Sequence, residues 1–344
     1  MLHRVALFLL LLTTIAARAE LEGVSLNGQD YVTLESLATA YGMGAPSSRG
    51  SGEFAASGNG HSIVVKTNSR QAIVDGVRQW LSYPAAARGA SAAVSRVDVI
   101  KTIGPAINPT EVKGFKPFTT VVLDPGHGGY DRGARSSYGF EKDFALDVTQ
   151  RVRKRLEKAG LKVVQTRMSD VFIPLESRPA VARKYPNSIF VSIHFNSGES
   201  NPAANGLEIF AISPLGSPPT GQSRTMDRDR QREAGHALEP VNTVMANTIY
   251  NSLIGKMPSF DRGVKRARFV VLKDATVPAV LIEGGFLTNA AEAAKIGSTA
   301  WREAYADAIA TGILEYRKLA EQGTAPRRAA AFGRGPTTQL VPER

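Results

Sequence analysis

The sequence predicts an α/β fold: a mixed, largely parallel sheet with helices on both faces, preceded by a small α+β domain. Short apolar segments alternate with amphipathic helical patterns from residue 119 onwards, which is typical of this fold class. A helix over residues 142–158 is the clearest element, because apolar side chains recur on one face and Gly160 follows it. Those side chains are Phe144, Val148, Val152 and Leu156. Strands are predicted at 119–123, 161–166, 188–193, 207–212 and 279–282, and further helices at 241–254 and 301–320.

Residues 20–110 form the predicted small domain, to which we assign a binding or spacer role. Strands are predicted at 31–34, 62–66 and 72–74, and a helix at 34–41. Residues 44–60 are rich in glycine and serine, which predicts a long loop. His61 has no other histidine near it in this region, so we expect a solvated side chain rather than a metal ligand. Residues 111–118 are predicted to be a linker.

The two ends of the chain indicate segments outside these domains. Residues 1–19 combine a basic start, an apolar run and small residues before Glu20, which predicts a secretory signal peptide and therefore export. No later segment is long and apolar enough to predict stable membrane insertion. Residues 321–344 are predicted to be a disordered tail, rich in proline, glycine and arginine from residue 324.

Composition narrows the classes of protein further. The net charge is +11, but the positive residues are scattered and no basic-aromatic recognition motif occurs, so nucleic-acid binding is not predicted. The chain has no cysteine, which excludes disulfides and thiolate metal sites. Any metal ion must therefore be held by histidine and carboxylate side chains.

Four such side chains lie where a predicted strand ends or the next helix begins. They are His127, Glu141, His194 and Glu283. The carboxyl ends of strands in an open α/β sheet gather functional groups from distant parts of the chain. Two histidines and one carboxylate are the ligand set of a catalytic zinc site, which leaves a fourth position open for water. Glu283 follows four apolar residues, so it faces a polar cleft or has a partner.

Each of these residues has a simpler interpretation when taken alone. Glu141 could be a solvated glutamate in the first turn of a helix, where it favours the helix dipole. His194 could be a hydrogen-bonded core histidine, and Glu283 could form a salt bridge with an arginine. The convergence of all four at one edge of the sheet favours the functional interpretation.

Six segments in matching order resemble the zinc-dependent N-acetylmuramoyl-L-alanine amidase family (Amidase_3 type). They are residues 121–134 (VVLDPGHGGYDRGA), 141–146 (EKDFAL), 166–178 with Thr166, Arg167, Asp170, Leu175 and Arg178, 192–196 (SIHFN), 261–265 (DRGVK) and 278–289 (PAVLIEGGFLTN). The resemblance spans roughly residues 119–318 and implies a zinc amidase catalytic domain at 119–320. By similarity, His127, Glu141 and His194 hold Zn²⁺, and Glu283 is the catalytic acid/base. The implied substrate is peptidoglycan, cut at the amide between N-acetylmuramic acid and L-alanine in the periplasm or the extracellular cell wall.

Two regions extend or depart from this pattern. Residues 20–110 resemble the copper amine oxidase N-terminal-like domain through loose motifs at 27–34 and 74–76, which makes wall binding a role for that domain. Residues 213–240 are longer and more charged than the connection in minimal family members. Some periplasmic relatives cover the zinc with an extra segment there until a protein activator removes it. We hypothesise such a gate, with Glu233, His236 or Glu239 approaching the metal; the simpler alternative is a mobile loop with solvated charges.

Two rival functions remain open at this point. The first is a non-catalytic peptidoglycan-binding protein, which is disfavoured because all four chemical positions are filled. The second is a zinc peptidase that acts on stem peptides, because the same metal site would serve other amide bonds.

Overall fold

A computed structural model describes residues 21–322, apart from residues 22, 27 and 199. The predicted signal peptide at 1–19 and residues 323–344 of the predicted tail lie outside the described residues. Among the helices of the described part, none combines the length and the apolar character needed to cross a bilayer.

The elements follow in chain order. The strands are β1 (Gly23–Leu26), β2 (Gln29–Thr33), β3 (Ser47–Gly50), β4 (Glu53–Gly58), β5 (His61–Lys66), β6 (Gln71–Val74), β7 (Val77–Trp80), β8 (Ala86–Arg88), β9 (Ser91–Ser95), β10 (Thr120–Pro125), β11 (Arg135–Ser136), β12 (Gly139–Phe140), β13 (Lys162–Gln165), β14 (Ser188–Asn196), β15 (Leu207–Ile212), β16 (Asp261–Ala267) and β17 (Ala279–Phe286). The helices are α1 (Leu34–Ala40), α2 (Arg96–Asp98), α3 (Gly104–Ile107), α4 (Glu141–Lys158), α5 (Ser177–Arg183), α6 (Glu239–Lys256), α7 (Val270–Lys273), α8 (Ala290–Gly297) and α9 (Thr299–Gln322). A π-helical stretch, Val99–Ile103, joins α2 to α3, and short 3-10 turns lie at Pro109–Glu111, Asp227–Arg230 and Ala234–Leu238.

One mixed sheet forms the centre of the molecule. Its order is β13-β10-β14-β17-β15-β16-β7-β6-β5-β4-β3. Strands β13, β10, β14 and β17 are parallel to one another, β15 is antiparallel to β17, and β16 is parallel to β15. The five strands predicted after residue 119 correspond to β10, β13, β14, β15 and β17. Strand β16 is an additional strand, which its charged sequence does not predict.

Both faces of this sheet are covered by helices. Along β10 the side chains alternate, so that Val121 and Leu123 pack with α4, α6 and α9 on one face, whereas Val122 packs with α5 and α7 on the other. All six residues of β10 are buried, as expected for a central parallel strand. These observations confirm the predicted α/β fold with a mixed sheet and a small N-terminal region before it.

The N-terminal region extends the same sheet. Strands β3 to β7 form an antiparallel meander, and β7 joins β16 through the parallel pair Gln79 and Val264. The prediction of a long loop at 44–60 is wrong, because β3 and β4 form a hairpin there. Its turn uses left-handed residues Ser51 and Gly52, with φ of 52° and 77°. The glycine and serine content therefore marks the turn and not an unstructured segment.

The segment predicted as a linker, 111–118, is packed against the main domain. Phe115 and Phe118 are buried, and their ring centroids lie 5.9 Å and 5.8 Å from that of Tyr316 on α9. These contacts hold the connection between the two regions in place by apolar burial.

A buried arginine provides the polar part of the same junction. Arg266 on β16 donates from Nη1 to Thr243 Oγ1 on α6 over 2.9 Å. Its Nη2 donates to Thr102 Oγ1 over 3.1 Å and to the Lys101 carbonyl oxygen over 3.3 Å. Burial lowers the pKa of Arg266 to about 10, which leaves the guanidinium charged at neutral pH. Arg266 therefore ties the N-terminal helical stretch to the main domain.

Replacing Arg266 with methionine should lower the free energy of unfolding by about 1–3 kcal/mol, since the hydroxyl oxygens of Thr243 and Thr102 would lose a buried donor. Urea unfolding followed by circular dichroism measures this change. Arg153→Met is the matched control: Arg153 is partly exposed, pairs with Glu157 on the same helix and makes a long hydrogen bond, of 3.4 Å, to Gln165, so we expect a change below about 0.5 kcal/mol. Equal effects of the two substitutions would show that Arg266 does not secure the junction.

Candidate metal centre

The turn after β10 carries His127 and is shaped by glycines. His127 has a φ of 57°, in the left-handed region, and Gly126 before it lies directly against the ring of His194. A Cβ at Gly126 would lie 2.3 Å from Cε1 of His194. Gly133 has a φ of 63°, and a larger residue is excluded at this position as well, because a Cβ there would lie 2.5 Å from Oε2 of Glu141. The glycines thus allow the backbone to approach the candidate ligands closely.

The structure brings His127, Glu141 and His194 together. One ligand atom from each lies within 4.8 Å of those of the other two, and no other group of this kind occurs among the described residues. Oε2 of Glu141 lies 3.1 Å from Nε2 of His127, and Oε1 lies 2.9 Å from Nδ1 of His194. The two imidazole centroids are 5.1 Å apart. Three nitrogen and oxygen ligands from three separate segments therefore converge at one point.

Glu141 is the buried centre of this group. It is the first residue of α4, and its two oxygens accept hydrogen bonds from the backbone N–H groups of Ala134 and Phe195. Burial raises the pKa of the Glu141 carboxyl. The contacts with His127 and His194 lower that pKa by a larger amount, so the net shift is strongly downward. The carboxylate is therefore ionised and fixed in position. It is not the solvated first-turn glutamate that the sequence left open.

Asp131 orients the first histidine. Its Oδ1 lies 2.8 Å from Nδ1 of His127, so the other ring nitrogen, Nε2, faces Glu141. Burial lowers the pKa of His127, whereas Glu141 and Asp131 raise it by a larger amount. The sequence analysis did not predict this role for Asp131. Its position four residues after His127, within the same motif, is the only signal in the sequence for the contact.

Glu283 lies on β17 beside the three-residue group. It is the direct neighbour of His194 on β14 and of Glu208 on β15. Its Oε2 is buried without a hydrogen-bond partner, and no ion pair to Glu283 occurs in the described part of the chain. Burial raises the pKa of the Glu283 carboxyl well above its usual range, and repulsion from Glu141 and Glu208 raises it further, while Lys265 lowers it. The arginine salt bridge considered from the sequence is thus not found.

Glu208, a buried glutamate beside Glu283, was not predicted from the sequence. Its Oε2 accepts from Arg262 Nε over 2.6 Å and from Lys265 Nζ over 2.5 Å. Its Oε1 accepts from Asn196 Nδ2 over 2.8 Å. Burial raises the pKa of Glu208, but attraction to Lys265 and Arg262 lowers it below the usual range. This cluster places two cations on the side of Glu283 away from His127.

The structure does not bring Glu233, His236 or Glu239 to the metal group. Strand β15 runs antiparallel to β17, so it leads the following segment to the opposite edge of the sheet. There the Glu233 N–H donates to Nδ1 of His236, whose Nε2 lies 2.7 Å from Nη1 of Arg268. Glu239 accepts from the Leu215 N–H and pairs with Lys101. A gate formed by residues 213–240 stays a prediction, and these contacts do not support it.

The Glu208 cluster predicts a pH-dependent loss of stability. Glu208→Gln should lower the free energy of unfolding by about 2–4 kcal/mol at pH 7, because Lys265 and Arg262 lose their buried counter-charge. The pKa of Glu208 is lower in the folded protein than its value of about 4.5 in the unfolded chain. The ionised side chain therefore stabilises the fold at a pH above 4.5, and this stabilisation is lost as the pH falls through the folded-state pKa. The difference between the variant and the original protein should therefore shrink below about pH 4.

Urea titrations at pH 7 and pH 3.5 measure both effects of this substitution. Glu157→Gln is the matched control, since it removes an exposed carboxylate paired with Arg153 and should change the stability by less than about 0.5 kcal/mol. A Glu208→Gln effect that is the same at both pH values would contradict the proposed charge interaction.

Several known proteins are similar to this chain. The profile of the family Amidase_3, N-acetylmuramoyl-L-alanine amidase, matches residues 121–315. The amidase AmiA of Salmonella typhimurium is 37% identical over 253 residues, which cover 66% of this chain and 86% of that protein, and AmiA of Escherichia coli K12 is 36% identical over the same length. Among solved structures, the catalytic domain of CwlV from Paenibacillus polymyxa superposes with a TM-score of 0.49 at 31% identity, over 59% of this chain and 99% of that one. The family profile covers more than half of the sequence, and the chain belongs to the N-acetylmuramoyl-L-alanine amidase family.

Proposed function

We propose that this chain is a zinc-dependent amidase that hydrolyses the bond between the lactyl group of N-acetylmuramic acid and L-alanine in peptidoglycan. The reaction releases stem peptides from the glycan strand. The convergence of His127, Glu141 and His194 beside the unpartnered carboxyl of Glu283 is the observation that carries this proposal. We infer the substrate from family membership, because the geometry of the site alone would also suit the hydrolysis of other amide bonds.

The donor set fits zinc. Catalytic zinc sites use three protein ligands, commonly histidine and glutamate, and keep a fourth position for water or substrate. The three residues here provide two imidazole nitrogens and one carboxylate oxygen from relatively rigid elements. Asp131 supplies the outer hydrogen bond that metal-bound histidines usually have. His127, Glu141 and His194 would hold the ion.

The chain's own groups supply the proton transfers. Zinc, when bound, contributes Lewis acidity, which polarises a carbonyl oxygen and makes a water molecule more acidic. Glu283 accepts the proton of the attacking water and then donates it to the nitrogen of the departing L-alanine. Burial and the neighbouring carboxylates raise the pKa of the Glu283 carboxyl, which helps it to keep the proton between the two transfers. Glu208 stays ionised beside it because Lys265 and Arg262 neutralise it.

The cellular role follows from the substrate. Peptidoglycan lies outside the cytoplasmic membrane, so we propose that the protein acts after export, in the periplasm or the extracellular cell wall. Release of stem peptides there serves wall remodelling, daughter-cell separation or recycling. A protein activator and a wall-binding N-terminal region remain part of this proposal.

Glu283→Gln should lower the rate of peptide release about 100- to 10,000-fold, the usual contribution of a general acid/base. Zinc content measured by mass spectrometry should stay at one ion per chain, because Glu283 is not a proposed ligand. The assay digests purified sacculi and identifies the products by mass. Glu315→Gln, at an exposed position of α9, is the control and should act like the original protein.

The products separate this proposal from its rivals. Peptides that begin with L-alanine, together with peptide-free glycan, support the amidase. Shortened stem peptides that stay attached to glycan would indicate a peptidase instead, and sacculi bound without any product would indicate a non-catalytic binding protein. A Glu283→Gln variant with a near-normal rate would overturn the role assigned to this residue.

Asp131→Ala should weaken zinc binding about 10- to 100-fold, since His127 would lose the hydrogen bond that fixes its ring. Competition with a chelating dye measures the affinity without relying on turnover. Asp227→Ala removes an exposed carboxylate of the 213–240 segment and should leave the affinity unchanged. If Asp131→Ala binds zinc as tightly as that control, Asp131 does not orient the ligand.

A further inference from the structure

Two aromatic rings form an exposed stack beside the metal centre. Tyr130 lies three residues after His127, and Phe172 lies in the loop that follows β13. Their ring centroids are 4.3 Å apart and their planes differ by 26°. Tyr130 is 78% exposed and Phe172 is 36% exposed, so the pair presents a flat apolar surface to solvent.

The two loops that carry these rings are fixed to each other. The backbone N–H of Gly129 donates to Oδ1 of Asp170 over 2.7 Å. Nζ of Lys142 donates to the Gly129 carbonyl over 2.9 Å and to Oδ2 of Asp170 over 2.6 Å. Gly129 is also packed on the backbone of Phe172, where a Cβ would lie only 2.8 Å from the amide nitrogen. The stack is therefore held in place before any ligand binds.

Another exposed apolar side chain lies next to Phe172 in sequence. Val171 is 46% exposed. Single exposed apolar residues are ordinary, but two stacked rings on loops that are fixed to each other after His127 indicate a binding surface. We call Tyr130, Phe172 and Val171 the aromatic platform.

Charge distinguishes the two sides of the centre. On the platform side, the Lys142 ammonium is engaged by Asp170 and a backbone carbonyl, and the guanidinium groups of Arg132 and Arg135 lie over the ring of Phe140. On the other side of Glu283 lie Arg262 and Lys265, which share the single carboxylate of Glu208. A neutral ligand with an apolar face suits the first side, whereas a carboxylate-bearing peptide suits the second.

We propose that the aromatic platform binds the glycan strand, with the apolar face of a sugar ring against Tyr130. This proposal rests on the proposed amidase function, because the scissile carbonyl is joined to a sugar by only the short lactyl group. A carbonyl placed at the metal centre therefore requires a sugar ring close to His127, where the platform begins. The stem peptide then extends past Glu283 towards Arg262.

The experiment measures the binding of peptide-free glycan strands by isothermal titration, with no turnover required. Tyr130→Ala should weaken this binding about tenfold, which corresponds to the loss of roughly 55 Å² of apolar contact. Tyr130→Trp should restore it, because the larger ring keeps the flat face. Phe269→Ala is the matched control: Phe269 is also a half-exposed aromatic residue that contacts a second ring, but it follows the far end of β16.

The outcomes separate the ligand classes. Loss of glycan affinity in Tyr130→Ala but not in Phe269→Ala, with unchanged affinity for free stem peptides, supports the platform. Equal glycan affinity in Tyr130→Ala and the original protein overturns it, as does a loss confined to stem peptides. Self-association that disappears in Tyr130→Ala while glycan binding stays the same would identify an interface between copies and also overturn it.

This binding test is independent of the reaction itself. If the sacculus digestion yields no L-alanine-terminated peptides but Tyr130→Ala still weakens glycan binding, the amidase proposal fails and the platform stands. If the digestion succeeds and the glycan affinity does not depend on Tyr130, only the platform fails. Unfolding midpoints measured for each variant confirm that these exposed substitutions leave the fold intact.

Discussion

The centre of this molecule depends on one buried carboxylate that two imidazoles share. Burying Glu141 is costly unless its charge is compensated, and here His127, His194 and two backbone N–H groups provide the compensation. The partners come from β14 and from two points of the loop between β10 and α4, so the start of α4, the turn after β10 and the end of β14 must all meet at this side chain. The close approach at Gly126 and Gly133 follows from the same requirement.

Three neighbouring carboxylates acquire different properties from their surroundings. Glu141 and Glu208 are both buried, but each has positive or hydrogen-bonding partners that lower its pKa. Glu283 lies between them with one oxygen unpartnered, and burial together with repulsion from both raises its pKa. Environments that push the pKa values of adjacent acids apart are how a site assigns a fixed charge to one group and a proton to another.

Local patterns in the sequence predicted most of the main domain, because apolar spacing and strand ends are encoded over a few residues. The four central side chains were predicted for the same reason, since each lies in a short motif at a predicted strand or helix boundary, although β14 and β17 continue past His194 and Glu283. Glu208 was missed because its partners Arg262 and Lys265 are 54 and 57 residues away and no local pattern joins them. The junction of β7 and β16 is even less visible, since one backbone pair and side-chain bonds from Arg78 and Trp80 join residues more than 180 positions apart.

The direction of β15 determines where the ligand-type residues of the 213–240 segment lie. An antiparallel β15 puts Glu208 directly across from Glu283, but it also sends the next segment to the opposite edge of the sheet. There the Arg70 side chain donates to the carbonyls of Pro218 and Gln222, so this segment contacts the N-terminal region. The reversal of one strand thus both builds the charged neighbour of Glu283 and separates residues 213–240 from the centre.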